Sequence, residues 1–292
     1  MNNEIVAIYC LCDDILKVMN HSSDGQQQMS DAEVMTTAIV AAMYFCGNFE
    51  QSRKYLSSPN YIPKMLSKSR LNRRLHRVEP MLVTVFEILG QVWKQLNSDD
   101  VYSIDSFPIS VCDNIRISRS KLYDGEEAYR GYQASKKRYF YGICLGLFLG
   151  WGTQPERLRK IHLMVTEAGE PVEFFLTPGS FADVKGLKVF PFALPEGSVV
   201  YADKAYTDYD VEDLLLEAEN IQLSAMRKRN SRRPVPAYVQ FVQHYKRKII
   251  ETSGSLISRL LPKSIHAVTS KGFELKIMLF VLALSVNLWV AT

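Results

Sequence analysis

Residues 101–105 read VYSID, and residues 198–203 read SVVYAD. Each is a short run rich in β-branched and aromatic residues, and each ends on an acid, Asp105 or Asp203. Such runs read as strands. An aspartate at the last position of a strand leaves the sheet core for its rim, where a charge stays solvated or meets a ligand. Further strand-like runs are RYFYGICLGLF (138–148), IHLMVT (161–166), VEFFLT (172–177) and IQLSAM (221–226). Helical spacing is read over 183–190, 209–220 and a long stretch near 239–260. Counting 138–148 and 161–166 as one interrupted strand, the order is three strands, a helix, a strand, a helix, a strand and a final helix. Strands joined by short turns form an antiparallel meander, whereas strand–helix alternation adds parallel strands. The predicted fold class is therefore α/β: a mixed sheet flanked by helices.

The region before residue 99 reads differently. Ile5, Ile8, Cys12, Ile15, Leu16 and Met19 recur at helical spacing. Ser30 and Glu33 have the spacing of a capping box ahead of AEVMTTAIVAAMYF, and Gly47-Asn48 ends that helix. Pro80 is expected to open another helix, with Leu82, Phe86, Leu89, Trp93 and Leu96 along one face. Two domains follow: helical over 1–98, sheet-bearing over 99–292. Within the first, KMLSKSRLNRRLHR (64–77) places Arg70, Arg73, Arg74 and Arg77 on one helix face, with Leu66, Leu71 and Leu75 behind them. That stripe is a solvated charged face or a surface laid against DNA in the manner of a helix-turn-helix. Mutual repulsion of four like charges favours a polyanionic partner.

Charge overall is only +4, so the whole-molecule field does not by itself point to nucleic acid, and local clusters say more. The five cysteines, Cys10, Cys12, Cys46, Cys112 and Cys144, are odd in number and lack CxxC spacing. They fit neither a disulfide framework nor a zinc site, and a reducing cytosol is expected. The start, MNNEIVAIYCLCDD, lacks the basic region of a secretory signal. The apolar tail from Ile277 to Thr292 is short for a span and contains Ser285 and Asn287, so a buried helix rather than a membrane anchor is expected.

A third acid, Glu251, lies in the helical segment HYKRKIIETSGSLI beside Lys246, Arg247 and Lys248. Two strand ends and one helix can bring three carboxylates together, an all-oxygen set suited to hard divalent cations. Two such ions support phosphodiester cleavage by activating the attacking oxygen and stabilising the leaving one. Each acid also has an ordinary reading. Asp105 begins a turn before Ser-Phe-Pro, Asp203 caps the following helix, and Glu251 joins Arg247 in an i, i+4 surface pair. Basic residues surround the candidate centre: Lys136, Lys137 and Arg138; Lys204; Arg227, Lys228, Arg229, Arg232 and Arg233; and Lys246, Arg247 and Lys248. Arg247 is a candidate phosphate clamp. Tyr206 and Tyr245 either pack or stack on bases.

Several stretches together resemble bacterial insertion-sequence transposases of the DDE type, and more narrowly the family of insertion sequences numbered 982. They are VYSIDSFPISVCDNIRISRSK, YRGYQASKKRYFYGI, KIHLMVTEAGEPVEFFLTPGSFADVKGL, VVYADKAY and RKIIETSGSLISRLLPKSIHAVTSKGFELKI, with SDAEVMTTAIVAAMYFCGNFEQSRKYL near the start. The resemblance implies a ribonuclease-H-like catalytic domain with Asp105, Asp203 and Glu251 as catalytic and metal-binding residues. It also implies two Mg²⁺ ions (or Mn²⁺), terminal inverted-repeat and target DNA as substrates, and a homo-oligomeric synaptic complex. Arg247 resembles the basic residue that accompanies the last acid in related transposases. One departure stands out: CLGLFLGWGTQPERLR (144–159) separates YFYGI from KIHLMVT, which run almost directly together in similar chains. It either loops out or interrupts a central strand. Two rivals therefore stand beside the transposase: a structure-specific nuclease on the same fold, and a decayed, noncatalytic DNA-binding remnant.

Overall fold

The structure is a computed structural model, and it describes residues 2–22, 24–109, 130–133, 138–141, 160–177, 182–262, 265, 267 and 269–291. The segment 144–159, Lys136, Lys137, Cys112 and Cys144 lie outside the described residues. Two compact units emerge: Met1–Leu89 with Ile257–Ala267 and Lys271–Thr292, and Gly90–Leu256 with Val268–Ser270.

The first unit is helical. Helix α1 (Asn2–Val18) buries Ile5, Ile8, Cys12, Ile15 and Leu16 on one face, as their spacing requires. Helix α2 (Asp31–Tyr44) starts at the expected capping box, in which the Ser30 hydroxyl accepts from the Glu33 amide and the Glu33 carboxylate accepts from the Ser30 amide. Every residue from Asp31 to Ala42 except Glu33 is buried. Thr36 and Thr37 satisfy their hydroxyls on carbonyls one turn back, which lets them sit in the core. Helix α3 (Phe49–Leu56) follows an Asn48 cap. Gly47 adopts φ +74°, and a Cβ there would lie 2.8 Å from the Phe280 ring, so both backbone and space demand glycine.

Pro80 does not open a helix. It lies inside α4, which runs unbroken from Lys68 to Leu96. An interior proline removes one backbone hydrogen bond and crowds the preceding turn, at about 3 kcal/mol. Buried Leu71, Leu75, Val78, Leu82, Val85, Phe86 and Leu89 continue one apolar stripe across it. At roughly 1.5–3 kcal/mol per buried large side chain, that stripe outweighs the lost bond.

Helix α8 (Ser270–Ala291) closes the first unit. Every residue from Ile277 to Val286 is buried, Ser285 included. Among the described residues it is the one single helix long and apolar enough to cross a membrane, and two thirds of its apolar window is buried inside the protein.

The second unit contains the expected mixed sheet. Its strands are β1 (Val101–Pro108), β4 (Lys160–Thr166), β5 (Pro171–Thr177), β6 (Val199–Ala202) and β7 (Gln222–Ala225), in spatial order β5-β4-β1-β6-β7. The pairs β1–β4 and β4–β5 are antiparallel, and β1–β6 and β6–β7 are parallel. This is the meander-then-parallel arrangement of a ribonuclease-H-like sheet, flanked by helices. A separate ribbon pairs β2 (Arg130–Gln133) with β3 (Arg138–Tyr141). The RYFY run is thus not in the five-stranded sheet: its backbone is satisfied by the neighbouring 130–133 segment. Helix α5 (Asp183–Leu187) lies between β5 and β6, and α6 (Tyr209–Glu219) between β6 and β7.

Helix α7 (Ala237–Leu260) is tied to the sheet by polar contacts. Gln243 donates to the Ser224 hydroxyl at 3.0 Å, Ser103 donates to the Lys246 carbonyl at 3.3 Å, and Ser253 donates to the Gly169 carbonyl at 3.0 Å. Lys246 pairs with Glu167. These residues follow helical spacing, 243, 246 and 253, so one face of α7 is fixed and the adjacent face is aimed along the ends of β1 and β6.

Candidate active site

The parallel ladder between β1 and β6 ends with Ile104 opposite Ala202. Asp203 is the first residue beyond β6, whereas Asp105 does not end its strand or begin a turn as the sequence suggested: β1 continues to Pro108 because its other edge stays paired with β4, Asp105 opposite Leu163. The two acids therefore lie side by side just past the carboxyl end of the parallel ladder. That is where open α/β sheets bind ligands. Ile104 and Ala202 are buried and hold this register. The Asp105 carboxylate accepts from the Ser106 amide at 2.7 Å, and Asp203 caps the single 3-10 turn Lys204–Tyr206 by accepting from the Lys204 amide at 2.7 Å. The helix after that turn, α6, is capped by Asp208 instead.

Helix α7 supplies Arg247 and, one turn on, Glu251. The Arg247 guanidinium lies 3.8 Å from Asp105, 3.4 Å from Asp203 and 3.3 Å from Glu251. The three acids expected to meet thus converge on one cation. Their side chains are 22%, 20% and 54% exposed, so two are recessed and Glu251 stands at the mouth. Burial pushes the Asp105 carboxyl up to about 6; the Ser106 amide and Arg247 oppose that rise, while the charges of Asp203 and Asp183 add to it.

Asp183, read from the sequence only as the start of a helix, belongs to this neighbourhood. It accepts from the Ser106 hydroxyl at 2.7 Å, so the residue after Asp105 is moored to the head of α5. Beneath lies a buried polar unit. Nδ1 of His162 is 2.7 Å from the Tyr206 hydroxyl, and Nε2 is 2.5 Å from that of Thr177. His162 also stacks on Phe175 with ring centroids 4.5 Å apart. Burial first, then the negative field of Asp183 and Asp105, holds the Tyr206 hydroxyl well above its ordinary pKa. Tyr206 is fully buried and packs, whereas Tyr245 is 59% exposed. The only sequence signal for Asp183 was its place in the resembling stretch PGSFADVKGL; the Ser106 contact spans 77 residues and leaves no local pattern.

The basic residues divide in two. Arg70, Arg73 and Arg77 are exposed on α4, as are Lys204 and Lys248 near the acids. Arg74 turns inward, donating to Asp31 at 2.5 Å and to the Met29 carbonyl at 3.1 Å, and so ties α4 to the start of α2. Arg227 forms a two-pronged pair with Glu212, and Arg233 with Asp213. Arg138 lies in β3, its side chain outside the described part.

The acids fit a divalent cation by chemistry: all donors are hard oxygen, and their mutual repulsion already requires a counter-ion. As they stand, no group of three metal-ligating residues is close enough to hold an ion among the described residues.

Residues 95–261 match the family model described as a transposase DDE domain. No curated protein and no solved structure matches the chain.

Proposed function

Because the chain belongs to the transposase DDE-domain family, we propose that it is an insertion-sequence transposase that cleaves the terminal inverted repeats of its element and joins the freed 3′-hydroxyl to target DNA. The observation that carries this reading is the convergence of Asp105, Asp203 and Glu251 just past the end of the parallel β1–β6 ladder, over one arginine. In this reading Asp105 and Asp203 would hold two Mg²⁺ ions (or Mn²⁺), and Glu251 would hold one of them. Once bound, the ions activate the attacking oxygen and offset charge on the leaving oxygen. The chain's own task is to fix the acids: the β1–β6 register sets the two aspartates, Ser106 and Asp183 moor the β1 end, and α7 carries Glu251 on a helix pinned at Gln243, Lys246 and Ser253.

Lys204, Arg247 and Lys248 flank the acids and bind backbone phosphates near the scissile bond. Lys136, Lys137 and Arg138 are further phosphate-binding candidates by their charge. Arg70, Arg73 and Arg77 on α4 contact the element ends, which makes the helical region the part that recognises DNA and assembles a homo-oligomeric synaptic complex. Membership among the insertion sequences numbered 982, and action in a bacterial cytosol, rest on the sequence resemblance.

The deciding experiment is a joining assay. Pre-cut terminal-repeat DNA is incubated with target plasmid, full-length protein and Mg²⁺. Covalent joining is expected. Cutting without joining would favour the structure-specific nuclease, and DNA binding without either would favour the decayed remnant. A chain lacking residues 144–159, assayed alongside, shows whether that segment obstructs the reaction.

A further inference from the structure

Arg247 is held unlike three other paired arginines among the described residues. Arg227 meets Glu212 at 2.6 and 2.7 Å, Arg233 meets Asp213 at 2.7 and 2.8 Å, and Arg53 meets Glu50 twice at 2.8 Å. Those are the short, forked contacts of committed charge pairs. Arg247 instead stands 3.3–3.8 Å from three different carboxylates. Its Nε is buried and has no hydrogen-bond partner among the described residues. The guanidinium is shared by three acids and fully bonded to none.

The charge balance has the same sense. Among the described residues, the three carboxylates have one cation, Arg247, at ion-pair distance, with Asp183 close enough to add its field to Asp105. The cluster keeps an excess of negative charge that one guanidinium does not neutralise. The backbone beneath Arg247 is fixed by Gln243, Lys246 and Ser253, so exchange needs only rotation of a long side chain that is already 31% exposed.

We propose that Arg247 is a resident counter-cation: it occupies the acid centre in the DNA-free protein and leaves it when a DNA phosphate takes the guanidinium, so that phosphate binding and divalent-cation binding favour one another through this side chain. This rests on the acid centre being the cation site. Linkage makes the effect reciprocal: whatever draws Arg247 away strengthens cation binding, and cations in turn strengthen phosphate binding. The device keeps cations weakly held until DNA is seated.

The test uses full-length protein, Mn²⁺ as the probe, and two readouts that need no catalysis: calorimetric Mn²⁺ affinity and thermal unfolding. Arg247→Gln is expected to bind Mn²⁺ at least about 5-fold more tightly than the parent without DNA, the lower end of ordinary coupling. A short terminal-repeat duplex should raise Mn²⁺ affinity less in the variant than in the parent. The variant should also unfold at lower temperature without Mn²⁺ and be restored by it, but not by potassium chloride of equal ionic strength. Arg247→Met serves as a second uncharged variant, and folding of either only in the presence of Mn²⁺ supports the proposal equally. Unchanged or weaker Mn²⁺ binding in the variants, with binding still lost in Asp105→Asn, overturns the role of Arg247 and leaves the acid centre standing. No Asp105-dependent Mn²⁺ binding in any of these proteins overturns both.

Discussion

Asp105 and Asp203 are neighbours because Ile104 pairs with Ala202 in a parallel ladder. Nearly a hundred residues of chain separate them, yet one register sets both acids just past the end of the same parallel ladder. A slip of one residue in β6 would send Asp203 to the opposite face of the sheet. The buried Val200 and Ala202 therefore serve the site as much as the core.

That juxtaposition makes Asp105 costly to keep ionised. Its carboxyl titrates at about 6 in the folded protein against 3.8 ordinarily. The folded state therefore holds the proton more tightly than the unfolded state, and cation-free stability falls as pH rises from about 4 to about 6. Asp105→Asn should remove this slope and raise stability at pH 7 by about 1–2 kcal/mol, while abolishing cleavage. Urea unfolding of parent and variant across pH 4–8 checks it; a parent whose stability climbs through that window contradicts it.

Arg74 and its neighbours on α4 separate scaffold from surface. Arg74→Ala leaves the 4%-exposed Asp31 with His21 as its one remaining side-chain partner among the described residues. A loss of about 3 kcal/mol is expected, typical of breaking a buried pair. Arg70→Ala and Arg73→Ala should leave stability within about 0.5 kcal/mol, as surface changes do, and should weaken DNA binding and reduce its salt dependence. Denaturant midpoints and DNA titrations at several salt concentrations distinguish the two outcomes.

Gly186 is fixed by its neighbour. A Cβ there would lie 2.6 Å from Cε1 of His162, whose ring is held by Tyr206 and Thr177. Gly186→Ala should destabilise by about 1–3 kcal/mol, as overpacking does. Equal melting temperatures for variant and parent would show that the histidine yields freely.

Pro80 offers the opposite sign. It is exposed, within an unbroken helix, and lacks the amide that the helix needs. Pro80→Ala should stabilise, by up to about 3 kcal/mol less the entropy regained by the unfolded chain. A lower melting temperature would mean that α4 needs its proline.

Much of this was legible beforehand because it is periodic or local. The Ser30–Glu33 cap, the stripes of α1 and α4, and the alternation of short strands with helices all leave patterns within a few residues. The three acids were legible by type, and Asp203 also by its position at a strand end; that β1 runs on past Asp105 was not, because it depends on pairing with β4. What escaped is long-range or a matter of competing energies. Asp183 joins the site through a contact to Ser106 with no sequence periodicity. Arg74 lies in the same charged stripe as Arg70 and Arg73, and only the tertiary position of Asp31 sets it apart. Pro80 carries a strong local signal for a helix start, overruled by an apolar stripe spanning both sides of it.

The central claim is that Asp105, Asp203 and Glu251 act as one cation-dependent centre on DNA. The most direct measurement is Mg²⁺-dependent cleavage of terminal-repeat DNA by the parent and by Asp105→Asn, Asp203→Asn and Glu251→Gln, with DNA affinity measured on the same preparations. The account predicts that each substitution lowers cleavage by at least about a thousandfold, or roughly 4 kcal/mol of barrier, while DNA binding persists. A variant that binds DNA and cuts as fast as the parent would contradict it.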